Sequence, residues 1–210
     1  MFTLIKREIE DNLVHFLAAA LMSAVYVFLA ISLAKANLGH EPQTFSIGLL
    51  LVILPVIGLV FMATGTSQMT NDKNRKVSAF LSTLPVTRTQ ILLARIITGV
   101  LAILVLLVPV FITIAFLTKT FVSQYVFPHH YLIEIFITIF LTAFASYCLG
   151  LQIGLTSKKV GIVLAVFILS PLIISLIFIK GFAIDIIILL VLLVIASVAR
   201  TWQKFVSTAL

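Results

Sequence analysis

Six stretches of this chain are long, apolar and nearly free of charge, and no other feature restricts its fold as strongly. A helix needs about 20 apolar residues to cross a hydrocarbon core of roughly 30 Å. Runs of that length fall at Leu13–Ala34, Ser46–Ser67, Leu93–Leu117, Leu132–Leu155, Gly161–Ile179 and Phe182–Ala199. Apolarity is continuous within each run, whereas barrel strands alternate over about ten residues. The expected fold is therefore an all-α membrane protein, with residues 1–210 forming one transmembrane domain of six spans. Hydrophobic residues make up 62% of the chain and charged residues 10%, against roughly 25% charged in soluble domains. A water-facing surface cannot be assembled from that mixture, which excludes a soluble enzyme, a secreted module and a disordered regulator. Pro55, Pro109 and Pro171 lie within the runs. Neighbouring groups in a bundle can re-satisfy the carbonyls that proline frees, so kinks are expected there. A lone cysteine, Cys148, excludes disulfides, a multi-cysteine zinc site and an iron–sulfur cluster.

The placement of Lys and Arg predicts orientation, because basic residues concentrate on the cytoplasmic side of short loops. With the N-terminus inside, eleven fall on the inner side: Lys6, Arg7, Lys73, Arg75, Lys76, Arg88, Arg95, Lys158, Lys159, Arg200 and Lys204. Three, Lys35, Lys119 and Lys180, fall outside. Both termini are thus expected in the cytoplasm. The net charge of +7 reads as topology and contact with anionic headgroups rather than as nucleic-acid binding. No cleavable signal is expected, since the first apolar run is too long and acids stand beside the leading bases. Ahead of that run, Phe2, Ile5, Ile9 and Leu13 share a helical face, while Lys6–Glu10 and Arg7–Asp11 have i, i+4 spacing. That pattern predicts an interfacial amphipathic helix.

The most polar inner loop runs from Gln68 to Leu92. Asn71 and Asp72 are suited to capping a helix, and Val77, Phe80, Leu81 and Leu84 then recur at i, i+3, i+4 and i+7. Pro85 stops this short amphipathic helix. Thr87 with Gln90 has capping-box spacing and Val86 with Ile91 fits a hydrophobic staple, so a new helix is expected from Thr87 into the third span. The result is an ordered elbow, suited either to lying on the headgroups or to docking a soluble partner.

The run Asn71-Asp72-Lys73-Asn74-Arg75-Lys76, with Phe80-Leu81-Ser82-Thr83-Leu84-Pro85-Val86-Thr87-Arg88-Thr89-Gln90-Ile91-Leu92-Leu93-Ala94-Arg95, resembles one family closely. It is similar to the permease subunits of type-2 ABC exporters, particularly the small single-module bacterial kind. Those proteins carry here a polar start, an apolar turn, a Leu-Pro-Val-like stop, a Thr/Ser-Arg-x-Gln restart and a basic residue as the third span begins. The resemblance extends over nearly the whole chain through the N-terminal helix, six spans and inward termini. It implies a coupling helix between spans two and three that fits a cleft of a separate ATPase. Asp72, Arg75, Lys76, Val77, Phe80, Leu81, Leu84 and Arg88 would form that contact. It further implies a second permease subunit as homo- or heterodimer, a bacterial cytoplasmic membrane, and ATP and Mg held by the partner rather than by this chain. The better-known members have a re-entrant helix pair at the outer face between spans five and six. Here only Lys180-Gly181 separates the two runs, so either span five dips after Ser170-Pro171 or the hairpin is missing.

The remaining chemistry is sparse. No glycine is followed by Lys, so the phosphate-cradling Gly-Lys-Ser/Thr loop is absent and this chain carries no ATPase site. His15, His40, His129 and His130 lack Gly-x-Ser-x-Gly or His-Glu-x-x-His companions, which argues against an intramembrane enzyme and a metal centre. Glu134 and Asp185 lie near the outer ends of their runs, where headgroups can solvate them. Thr142, Ser146, Gly150 and Gly154 form a small-residue stripe at i, i+4, the pattern of close helix packing. Outward export of an amphipathic or hydrophobic substrate is the expected function. An ion-coupled secondary transporter is the alternative, although internal repeats and mid-membrane acids are not evident.

Overall fold

The computed structural model describes residues 2–36, 56–70, 88–121, 129–155 and 184–207. All of these are helical except Asn12, a turn residue. The helices are α1 (Phe2–Asp11), α2 (Leu13–Ala36), α3 (56–70), α4 (Arg88–Phe121), α5 (His129–Leu155) and α6 (Ile184–Ser207). Four of them, α2, α4, α5 and α6, are long and apolar enough to cross a membrane. The described residues are thus all-helical apart from one turn residue, and their four long apolar helices make this a membrane-embedded protein. Residues 46–55 of the second expected span, the whole fifth span, the coupling helix, Pro55, Pro171 and the region of the re-entrant hairpin lie outside the described residues.

Of the described helices, α4 and α6 run furthest beyond their apolar stretches. α4 starts at Arg88, ahead of the apolar run that opens at Leu93. α6 continues past Ala199 to Ser207. Charge ends an apolar run but not a helix, whose backbone bonds are internal to the segment. The added turns also have something to bury: Thr201 and Phe205 are 1% and 4% exposed. Pro109 lies inside α4 without ending it, and the Thr113 hydroxyl donates to the Pro109 carbonyl at 2.8 Å.

α4 touches α1, α2, α5 and α6, and α5 packs extensively against α6. Leu92, Ile103, Leu106, Tyr147, Leu151 and Leu190 are fully enclosed between them. On α2, Val14, Leu21 and Phe28 stand 73%, 68% and 70% exposed, in keeping with lipid rather than water as solvent. Lipid tails are as apolar as leucine, so helix association here depends on close approach and interhelical hydrogen bonds. α3 and α5 illustrate the first. A Cβ on Gly65 would come within 2.6 Å of the Tyr147 carbonyl oxygen, and one on Gly150 would overlap the backbone of Met62.

Candidate functional site

The most concentrated polar chemistry among the described side chains surrounds Asn12. Its N–H donates to the Glu8 carbonyl at 3.1 Å, finishing α1. Its own carbonyl accepts from the N–H groups of His15 (2.9 Å) and Phe16 (3.2 Å), starting α2. The Asn12 Nδ2 amide folds back to donate to the Glu8 carbonyl at 2.8 Å and to carboxylate Oε2 at 3.1 Å. Asn12 is thus the corner between two helices and also a clamp on the Glu8 side chain.

The other carboxylate oxygen, Oε1, accepts from Arg95 Nε at 3.3 Å. Arg95 sits two turns into α4 and is 4% exposed. Its Nη1 donates toward Met69 Sδ on α3 at 3.0 Å, and its guanidinium carbon is 6.0 Å from the centre of the Phe205 ring on α6. The Arg95 carbonyl lies 3.0 Å from Tyr147 Oη on α5, which is also 2.7 Å from Gln68 Oε1 on α3. One hydroxyl proton serves those two acceptors in turn. The Tyr147 ring lies flush against Gly99, where a Cβ would overlap it. Through the side chain, backbone and ring of Arg95 and its neighbours, this junction ties together all six described helices.

A second polar cluster joins α5 to α6. Gln152, 4% exposed, directs Nε2 at the Ser197 carbonyl (2.8 Å), Ser197 Oγ (3.2 Å) and Thr201 Oγ1 (3.2 Å). Thr201 Oγ1 donates in turn to the Ser197 carbonyl at 2.7 Å.

Of the residues expected to contact a partner, Asp72, Arg75, Lys76, Val77, Phe80, Leu81 and Leu84 lie outside the described residues. Arg88 is the first residue of α4. Ser146, Gly150 and Gly154 lie on the side of α5 that meets α3: Ser146 approaches Gly58, and Cβ atoms on Gly150 and Gly154 would overlap Met62 and Met69 respectively. Lys6 and Glu10 form the expected i, i+4 pair at 4.0 Å, on the exposed side of α1. Glu134 is half-buried in α5, and Asp185 is exposed in the first turn of α6, where a carboxylate complements the helix dipole. No cluster of metal-ligating side chains occurs among the described residues.

Sequence reasoning passed over Glu8, Asn12, Gln68, Tyr147 and Gln152, and took Arg95 as an inner-side base at the opening of the third span, not as a buried partner of Glu8. The available signal was polarity out of place. Arg95 and Gln152 interrupt long apolar runs, and a polar group there must find a partner.

No family model, curated protein or solved structure matches the chain. The functional reading therefore rests on its own residues.

Proposed function

We propose that this protein is the transmembrane permease subunit of an ATP-driven ABC exporter, moving an amphipathic or hydrophobic substrate outward across a bacterial cytoplasmic membrane. In this reading it has six spans, both termini cytoplasmic and no ATPase site of its own. ATP and Mg are bound by a separate ATPase subunit, and a second permease subunit completes the path.

The observation that carries this reading is the position of Arg95. It closes the segment Asn71–Arg95 that resembles the family's coupling region, and it is buried in the junction that joins the helices. α4 begins only three residues after Pro85, where the expected coupling helix stops. A push on residues 72–84 would therefore reach the start of α4 directly. Because Arg95 is fastened to Glu8, Met69, Phe205 and Tyr147, that push would displace several helices together rather than bend one. Such a rigid transmission is what alternating access driven from outside the membrane requires.

The test is Phe80→Ala combined with Leu81→Ala. Burying each side chain in a partner contributes roughly 1.5–3 kcal/mol, and about 1.4 kcal/mol is tenfold in affinity. Losing both should weaken docking by two or more orders of magnitude while the spans still insert. Expression and membrane insertion are expected to stay normal, with copurification of the ATPase abolished. Full ATPase association and transport in this variant would refute the assignment.

A further inference from the structure

The last two turns of α6 carry Arg200, Trp202, Gln203 and Lys204. Their bundle side is fixed. Thr201 and Phe205 are buried, Thr201 bonded to Gln152 and to the Ser197 carbonyl, Phe205 under the Arg95 guanidinium. Arg200, Trp202 and Gln203 are consequently turned outward and exposed, with Lys204 half-buried beside them. The two bases are thus displayed on turns that packing already holds in place.

Helix length sets the depth of this pair. At 1.5 Å per residue, Arg200 and Lys204 lie about 24 and 30 Å along the axis from Ile184, where α6 begins. The hydrocarbon core is roughly 30 Å thick, and Asp185 stands exposed in the first turn. With that acid at one headgroup layer, the two bases reach the other. Trp202, 39% exposed, agrees, since tryptophan collects at the boundary between hydrocarbon and water. Ile188, Leu192 and Ile195 keep the outward side of α6 apolar until just before the pair.

Charge identifies what fits there. Arg200 and Lys204 are i, i+4 neighbours, a spacing at which like charges repel. Asp185, the only acid in α6, is at the far end of the helix. On α1, Glu8 is engaged by Arg95 and Asn12, and Glu10 by Lys6. A phosphodiester between Arg200 and Lys204 would relieve the repulsion and accept charge-assisted hydrogen bonds from both. At this depth the phosphodiesters are those of lipids. A zwitterionic headgroup brings its own cation to its phosphate, whereas an anionic one leaves the phosphate for the protein.

We propose that Arg200 and Lys204, with Gln203 beside them, form a headgroup site for an anionic phospholipid of the phosphatidylglycerol kind, in the leaflet where α6 ends. The bound lipid would brace from outside the same two turns that Gln152 and Arg95 hold from within. This inference requires only that the chain be embedded in a membrane, and it survives if the exporter reading fails.

A relocated tryptophan tests it. Trp202 is the chain's only tryptophan, so Trp202→Phe with Gln203→Trp moves the reporter to the position three residues after Arg200 and next to Lys204. The full chain is placed in phosphatidylcholine nanodiscs with an equal minor fraction of either phosphatidylglycerol or phosphatidylcholine, spin-labelled on the acyl chain near the headgroup. Quenching is expected to favour the anionic lipid by about fivefold, the equivalent of one base acting at the membrane surface. Adding Arg200→Gln and Lys204→Gln should bring the two lipids to parity, while Arg200→Lys with Lys204→Arg should keep the preference. Inorganic phosphate should compete no better than chloride at equal ionic strength. Equal quenching by the two lipids with both bases present overturns the proposal and leaves the pair for a protein partner. A preference that survives the glutamine changes overturns it as well, and so does selective displacement by inorganic phosphate, which would make this a site for a soluble anion.

Discussion

Arg95 is tolerated inside α4 because Glu8 meets it from another helix. A charged side chain at the centre of a spanning helix costs about 2.5–3.5 kcal/mol on insertion scales; Arg95, two turns from the start of α4, costs less than that, and the Glu8 contact at 3.3 Å offsets it. The partners are unequal, with side chains 5% and 21% exposed for Arg95 and Glu8. Water can relieve a widowed Glu8 more readily than a widowed Arg95. Glu8→Gln, which leaves the buried cation without its counter-charge, is accordingly predicted to destabilise more than Arg95→Gln. The upper limit is the roughly 3–5 kcal/mol seen when a buried pair loses one member. Glu8→Leu with Arg95→Met removes both charges and should recover much of the loss, as apolar replacement of buried pairs often does. Unfolding midpoints of the wild type, Glu8→Leu, Arg95→Met and the variant carrying both form a double-mutant cycle, and additive losses would show that the pair is not coupled. A hydropathy reading could not reach this pair. It counts Arg95 as one more inner-side base, and the acid it meets lies 87 residues away. The polarity of Arg95 and Gln152 was visible within their runs, but the identity of their partners is a property of the folded helices.

The helices were legible where solvent dictates them. α2, α4, α5 and α6 follow from apolar length alone, because a segment in hydrocarbon must satisfy its backbone internally. Their ends were less so, since Arg200 and Lys204 interrupt the apolarity of α6 while Phe205 beyond them is buried. The stripe Ser146, Gly150 and Gly154 could be read from i, i+4 spacing, yet the spacing does not say which helix it meets. α3 meets it, with Gly58, Met62, Gly65 and Met69. At Gly150 the obstacle to a side chain is the Met62 backbone, which cannot rotate away. Gly150→Ala should therefore force α3 and α5 apart and cost about 1–3 kcal/mol, the usual penalty for overpacking. Unfolding in mixed micelles measures it, and an unchanged midpoint would mean the two helices do not meet so closely. The α5–α6 contact offers a milder comparison. Gln152→Leu removes a donor from the Ser197 and Thr201 oxygens and should cost about 0.6–1.7 kcal/mol, the range for interhelical polar contacts in membranes.

At the scale of the whole molecule, the unused surface of α2 bears on how a path for a bulky substrate could form. Val14, Leu21 and Phe28 are seven residues apart, so they stack along one side of the helix, and all three are largely exposed. Ile188, Leu192 and Ile195 on α6 are also exposed. Lipid solvates both surfaces equally well, so exposure alone does not choose between lipid and a second subunit. The proposed exporter does choose, because the resembling family places spans one and five at the dimer axis. A photo-crosslinking residue separates the cases without requiring that the partner position be known. Placed at Leu21 or Phe28 in native membranes, it should yield a covalent species containing a second permease chain. Placed at Leu192 it should yield lipid adducts alone. Lipid adducts at all three positions would leave a monomer, and a two-subunit path would then be refuted. The native thiol does not complicate the assay, since a photo-crosslinker needs no cysteine and Cys148 is buried in the core.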